Sequence, residues 1–302
     1  MQIRANQLAI EVEDSGPGAP GENRPVVMLI MGLGMQLIAW PPALVQALVD
    51  AGFRVIRHDN RDVGLSQRMQ ALGKPNMVWE MLKLKMGFKP KAPYSLRDMA
   101  ADALGVLDAL GVDKAHIVGA SMGGMIAQRV ALAAPKRTLS LTSIMSSSGA
   151  PGLPAPRPEV LRTLMQRPSG KSQEAVVAHY VKLFQVIGSP AFETPATEMR
   201  ERILASAQRG FYPEGTMRQM LAIVSDRTRA LELHNLQLPT LVIHGKADPL
   251  VPYACGEDAA RRIAGAQLIG IEGMGHDLPP AVVQHVLPAL IEHLKSANPR
   301  PV

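Results

Sequence analysis

The sequence predicts an α/β domain: a mostly parallel, doubly wound sheet interrupted by an all-helical insertion. Three observations carry this. Short apolar or β-branched runs alternate with helical patterns along most of the chain. The run 26–31 is apolar throughout, as a strand covered on both faces of a parallel sheet must be. Residues 146–236 then break the alternation with four helical patterns and no strand signal.

The elements follow in order. Residues 7–13 alternate apolar and polar and form an early strand, with a Gly/Pro turn over 17–25. After the strand at 26–31, residues 42–50 have helical period and 53–57 are the next strand. A first insertion, 67–93, carries Met77, Trp79, Met81, Leu82, Leu84 and Met86, which serve either a satellite core or a pocket entrance. Residues 94–110 form a helix with Ser95 as N-cap, Asp98 completing a capping box, and Gly111 closing it. A strand begins at 116–118 and passes straight into an Ala- and Met-rich helix, 122–134, stopped by Pro135. Residues 139–144 are a strand. A linker-like stretch, 146–156, opens the helical insertion, whose helices span 158–166, 173–187, 196–208 and 214–224. Strands at 240–244 and 267–271 and helices at 257–264 and 280–295 complete the chain. The core is therefore expected over 1–145 and 237–302, with 146–236 as a lid.

Composition narrows the possible functions. A chain of 302 residues that is 47% hydrophobic can bury a large core. No apolar run approaches the roughly 18 residues that span a bilayer. The first residues lack the apolar segment of a secretory signal, so a cytoplasmic protein is expected. Cys255 is the only cysteine, which rules out an internal disulfide; it is expected to be a small buried apolar residue. The net charge of +6 is scattered, with its densest cluster at Lys83, Lys85, Lys89 and Lys91. A nucleic-acid binder needs a concentrated patch on a recognisable module, so this charge is read as solvated surface. Gly32 and Gly34 do not extend to a dinucleotide fingerprint. No histidine pair has metal-ligand spacing. Neither cofactor nor metal is expected, nor a nucleic-acid partner; monomer and homo-oligomer both stay open.

The chemistry concentrates at Gly119-Ala120-Ser121-Met122-Gly123. A strand that turns directly into a helix must bend sharply, and small neighbours let the two segments approach. Ser121 is then lifted from the sheet edge, and Met122 opens the helix with a free backbone N–H. A serine hydroxyl is a poor nucleophile and needs a base, itself oriented by a carboxylate. Asp248, just past the strand at 240–244, is the acid candidate; Asp226, expected in surface pairs, and Glu272, beside a Gly-rich loop, are its rivals. His276, in a loop tightened by Gly273 and Gly275, is the base candidate. The remaining histidines, at 58, 116, 179, 234, 244, 285 and 293, fall within strands or beside helices and are read as structural. A developing oxyanion needs two donors. Met122 N–H is one, and the loop after the first buried strand supplies the other, placed at Leu33.

Together these residues resemble the α/β-hydrolase superfamily over nearly the whole chain. Five stretches are similar to the aclacinomycin-methylesterase-like carboxylesterases: MGLGMQ (31–36, followed by Trp40 and Pro41), VIRHDNRDVGLS (55–66), VGASMGG (118–124), PTLVIHG (239–245) and GMGHDL (273–278). The resemblance implies an α/β-hydrolase fold and an ester-hydrolysing triad of Ser121, His276 and Asp248. It also implies an oxyanion hole from the backbones of Leu33 and Met122, and a mainly structural role for Asp59 and Arg61. A serine at the bend separates the chain from dehalogenase and epoxide-hydrolase relatives, which use an aspartate there. The expected activity is hydrolysis of a small ester, with the 17 methionines suggesting an adaptable, apolar pocket. Hydrolysis of a lactone, a thioester or a diketone C–C bond, and perhydrolysis, use the same triad. A ligand receptor that kept the fold and lost turnover is the alternative from another class.

Overall fold

The computed structural model describes residues 1–18, 24–166, 168–170 and 172–298. Its strands are β1 (Gln2–Ala5), β2 (Leu8–Asp14), β3 (Val26–Ile30), β4 (Arg54–His58), β5 (Ala115–Ala120), β6 (Thr138–Ile144), β7 (Thr240–Gly245) and β8 (Gln267–Ile271). They make one sheet in the order β1-β2-β4-β3-β5-β6-β7-β8. The pairs β1–β2 and β2–β4 are antiparallel and all others parallel.

The burial of each strand follows its sequence. All residues of β3, β5 and β7 are buried, whereas β2 alternates and β8, at the edge, is mostly half-exposed. Two apolar layers cover the sheet. One packs α3 (Leu96–Ala109) and α4 (Met122–Ala133) against it; the other packs α1 (Pro42–Asp50) and α11 (Pro280–Ser296), with Trp40 at full burial. The expected capping box at the start of α3 is present.

The order of strands decides where chemistry can collect. From β3 the chain moves outward to β4, then returns past α3 to place β5 on the other side of β3. Ile30 pairs with Gly119, so the loop leaving β3 and the turn leaving β5 emerge side by side. Such a reversal opens a crevice at the carboxyl ends of the strands.

Between β6 and β7 lie α5 (Pro158–Met165), α6 (Gln173–Ile187), α7 (Ala196–Arg209) and α8 (Pro213–Ser225), with no strand among the described residues there. Val160, Leu183 and Ile187 form a small apolar cluster of their own, apart from the two sheet layers. A short α9 (Arg229–Glu232) follows, and α10 (Tyr253–Arg262) joins β7 to β8.

The differences from the sequence reading have physical reasons. β1 is held by antiparallel pairing to β2, which no pattern within its four residues announces. α2 (Met77–Lys85) was not expected, because apolar residues lie on both its faces and blur the helical period. α10 starts at Tyr253, directly after Pro252, four residues earlier than the period suggested. The turn expected over 17–25 falls partly on residues 19–23, outside the described residues.

Candidate active site

Only Ser121 separates β5 from α4, and it has φ 56° and ψ −122°. A left-handed φ at a residue with a Cβ costs on the order of 1–3 kcal/mol and persists only where its surroundings enforce it. Here they do. Ser121 N–H donates to Ile144 O at 2.9 Å, and Ser146 Oγ donates to Ser121 O at 2.7 Å, so the end of β6 grips the bend. A Cβ at Gly119 would overlap the carbonyl of Gly123, and one at Gly123 would overlap that of Ile30. The two motif glycines are thus demanded by the approach of α4 to β5 and β3.

The histidine and aspartate arrive from the two strands on that side of the sheet. His276 lies in the loop after β8, with Nε2 2.9 Å from Ser121 Oγ and Nδ1 2.7 Å from Asp248 Oδ2. Asp248 lies in the loop after β7, where its Oδ1 accepts Leu250 N–H at 2.9 Å and Val251 N–H at 2.8 Å. Burial works against its charge. The neighbouring imidazole of His276, with His244 and the Val251 N–H, outweighs that and holds the carboxyl well below the usual range. With Asp248 ionised, the imidazole Nδ1 carries the proton and Nε2 is free to accept from the serine hydroxyl.

The loop after β3 lies against the serine. A Cβ at Gly32, the residue before Leu33, would sit 3.1 Å from Ser121 Cβ and 3.5 Å from its Oγ. Met122 is the first residue of α4, and its N–H has no acceptor within the helix. The four-helix segment secures this loop. Gly34 N–H donates to Gln219 Oε1 of α8 at 2.9 Å, and Gln219 Nε2 donates to Arg61 O at 2.9 Å. Gln36 Nε2 donates to Ser206 O and Gly210 O at 2.7 and 2.8 Å, and Arg209 bridges Gln36 Oε1 and Asp59 Oδ2 at 2.8 and 2.5 Å.

The same segment also holds the histidine loop. His276 N–H donates to Ile187 O at 2.7 Å, Gly275 N–H to Ser189 Oγ at 2.9 Å, and Ser189 Oγ to Asp277 Oδ1 at 2.5 Å. Gln219, Ser189 and Asp277 were not singled out from the sequence. Only the position of Asp277 directly after His276 could have flagged it.

The rival acids are placed elsewhere. Asp226 was expected in surface pairs, but its side chain, 7% exposed, is held between the buried Arg129 and Arg229, with Glu232 completing the network. Its partners come from α4 and α9 rather than from the adjacent Arg227. Glu272 is exposed and pairs with Lys246 at 2.6 Å. His58 and His116 are buried, and burial pulls both to about 4. His244 donates from Nε2 to Val251 O at 2.7 Å and stands 3.6 Å from Asp248, closer to the site than a plain structural histidine. Cys255 is buried, and burial pushes its thiol up. Asp59 fixes Leu37 N–H at 2.7 Å, and Arg61 makes a two-pronged pair with Asp102 at 2.6 Å on each prong.

Comparison with known proteins agrees with this architecture. The chain is 32% identical over 293 residues to rhodomycin D methylesterase DnrP of Streptomyces peucetius, covering 90% of this chain and 91% of that one. It is 28% identical over 281 residues to the putative carbamate hydrolase RutD of Variovorax paradoxus, covering 89% and 90%. Among solved structures, the meta-cleavage product hydrolase CumD from Pseudomonas fluorescens IP01 superposes with a TM-score of 0.75 at 23% identity, covering 99% of this chain and 98% of that one. The family described as alpha/beta hydrolase fold matches residues 25–279. With the sheet order and the serine turn in place, that match makes the chain a member of the alpha/beta hydrolase fold family.

Proposed function

We propose that the chain is a serine hydrolase that cleaves small carboxylic esters through an acyl-enzyme on Ser121. The observation that carries this reading is the relay of 2.9 and 2.7 Å from Ser121 Oγ through the two nitrogens of His276 to Asp248. Ser121 attacks the ester carbonyl while His276 Nε2 takes its proton, and Asp248 stabilises the imidazolium that results. The N–H groups of Leu33 and Met122 receive the oxyanion. His276 returns the proton to the leaving alcohol, and water then releases the acid by the same steps.

Residues 146–236 serve as a lid over a core of 1–145 and 237–302. In this reading the lid also sets the site's geometry, because Ile187, Ser189, Gln219 and Arg209 tether the histidine and oxyanion loops. The methylesterase relative, matched along nine-tenths of both chains, favours an ester as the bond cleaved. Lactone, thioester, C–C and perhydrolysis chemistry need no other catalytic group, so a substrate panel separates them. Measured as kcat/KM, methyl and p-nitrophenyl esters should exceed a lactone, a thioester and a vinylogous diketone by at least about tenfold, a margin that transition-state contacts in one pocket routinely set. A lactone or diketone at the head of that ranking overturns the ester reading.

A further inference from the structure

The insertion between β4 and α3 carries a surface that hydrolysis does not explain. The face of α2 toward the protein presents Met77, Glu80, Met81 and Leu84, at the spacing that buries one side of a surface helix. The opposite face should then be polar. Instead it presents Val78, Trp79, Leu82 and Met86, with Phe88 just beyond; Val78 is 82% exposed and Phe88 63%. A helix apolar on both sides is normally buried on both sides. Lys74, Lys85, Lys89 and Lys91, all exposed, surround these residues, and Lys83 lies 5.7 Å from the centre of the Trp79 ring. The one carboxylate of the helix, Glu80, is turned inward, paired with Lys83 at 2.8 Å and accepting Lys91 N–H at 2.7 Å. Outward, the patch is therefore apolar and purely cationic.

We propose that α2 and residues 86–91 dock on an anionic lipid surface, with Val78, Trp79, Leu82, Met86 and Phe88 entering the headgroup boundary and the lysines pairing with lipid phosphates. Exposed tryptophan and phenylalanine ringed by lysine are the chemistry of a segment lying in that boundary. Lysine stems extend along the apolar layer while their ammonium groups reach the phosphates. A second copy of the chain fits less well, because a two-fold contact through this face would set its lysines against their own counterparts. Attachment is peripheral: α2 has nine residues, and no helix among the described residues is long and apolar enough to cross a membrane. The patch also lies at the site's end of the molecule. α2 packs on α8, and Arg218 of α8 donates to Gly73 O, just before α2, at 2.7 Å. The next residue of α8, Gln219, accepts Gly34 N–H from the loop that carries Leu33. An amphiphilic molecule dissolved in the lipid is thereby brought to that edge.

The test reads binding rather than turnover, so it stands apart from the ester assignment. The full chain is floated with vesicles of phosphatidylcholine alone and of phosphatidylcholine with phosphatidylglycerol in equal parts. It should float with the mixed vesicles, less so as salt rises, and not with phosphatidylcholine alone. Only Trp79 and Trp40 fluoresce as tryptophans, and Trp40 is fully buried, so a blue shift on binding reports Trp79. Lys85→Glu with Lys89→Glu should weaken flotation at least about tenfold. Trp79→Ser with Phe88→Ser should do the same while the far-UV circular dichroism spectrum and the urea unfolding midpoint are unchanged, which shows that the variant is folded. Absence of binding to mixed vesicles, or equal binding by either variant, overturns the proposal. So does a dimer in size-exclusion chromatography that Trp79→Ser with Phe88→Ser dissociates, because the face then belongs to a second copy.

Discussion

Asp248→Asn should lower kcat for a p-nitrophenyl ester by about 10⁴ while KM changes little. The reason lies in which atoms the loop after β7 holds. Oδ1 of Asp248 accepts two backbone N–H groups, from Leu250 and Val251, so the corresponding atom in an asparagine must be the carbonyl oxygen. The amide nitrogen then takes the place of Oδ2, which receives Nδ1–H of His276 in the native chain. A donor facing Nδ1 forces the imidazole proton onto Nε2, which meets Ser121 Oγ at 2.9 Å. In that tautomer Nε2 cannot accept the serine proton. Steady-state kinetics with a urea unfolding curve, to show that the fold survives, checks this. A kcat within tenfold of the native value would mean that Asp248 does not orient the base.

Arg218→Met should destabilise the protein by about 3–5 kcal/mol, the range for removing one partner of a buried ion pair. Both side chains are almost fully buried, at 1% and 0% exposure. The guanidinium meets Asp62 through Nε and Nη2, both at 2.8 Å, and reaches Gly73 O and the Tyr212 hydroxyl with its other hydrogens. Asp62 in turn accepts Tyr94 OH at 2.9 Å and Met69 N–H at 2.7 Å. Methionine fills the volume of the stem but leaves a carboxylate buried without its cation. Pairing the change with Asp62→Asn should recover most of the loss, because the charge is then gone. Arg218→Lys should not, because one ammonium cannot reproduce the two-pronged contact. Activity should fall with stability, since Gln219 beside it steadies the loop after β3. Urea unfolding of the three variants measures the effect, and a loss below about 1 kcal/mol for Arg218→Met would place the pair's weight elsewhere.

The fold class was legible because strands buried on both faces of a parallel sheet read as near-continuous apolar runs, and β3 and residues 241–243 at the centre of β7 carry that mark locally. So was the meeting of Ser121, His276 and Asp248, since each sits where a strand ends and the sheet order brings those ends together. What the sequence concealed depends on contacts between distant segments. Nothing near Gln219 announces that its amide bridges Gly34 and Arg61, and nothing near Ser189 announces Gly275 and Asp277. Asp226 was misjudged for the same reason: its neighbour Arg227 suggested a surface pair, while its true partners lie on α4 and α9. For α2 the local pattern was itself misleading. The outward apolar residues look like core in the sequence, and only the backbone shows that they face solvent.

In the proposed mechanism Ser121 is the nucleophile, activated by His276. Treating the full chain with a fluorophosphonate and locating the adduct by peptide mass spectrometry tests this directly. A single phosphonyl group on Ser121 is predicted, absent from Ser121→Ala and formed far more slowly in His276→Ala. An unlabelled native protein, a label on another residue, or ester hydrolysis by Ser121→Ala at the native rate would contradict it.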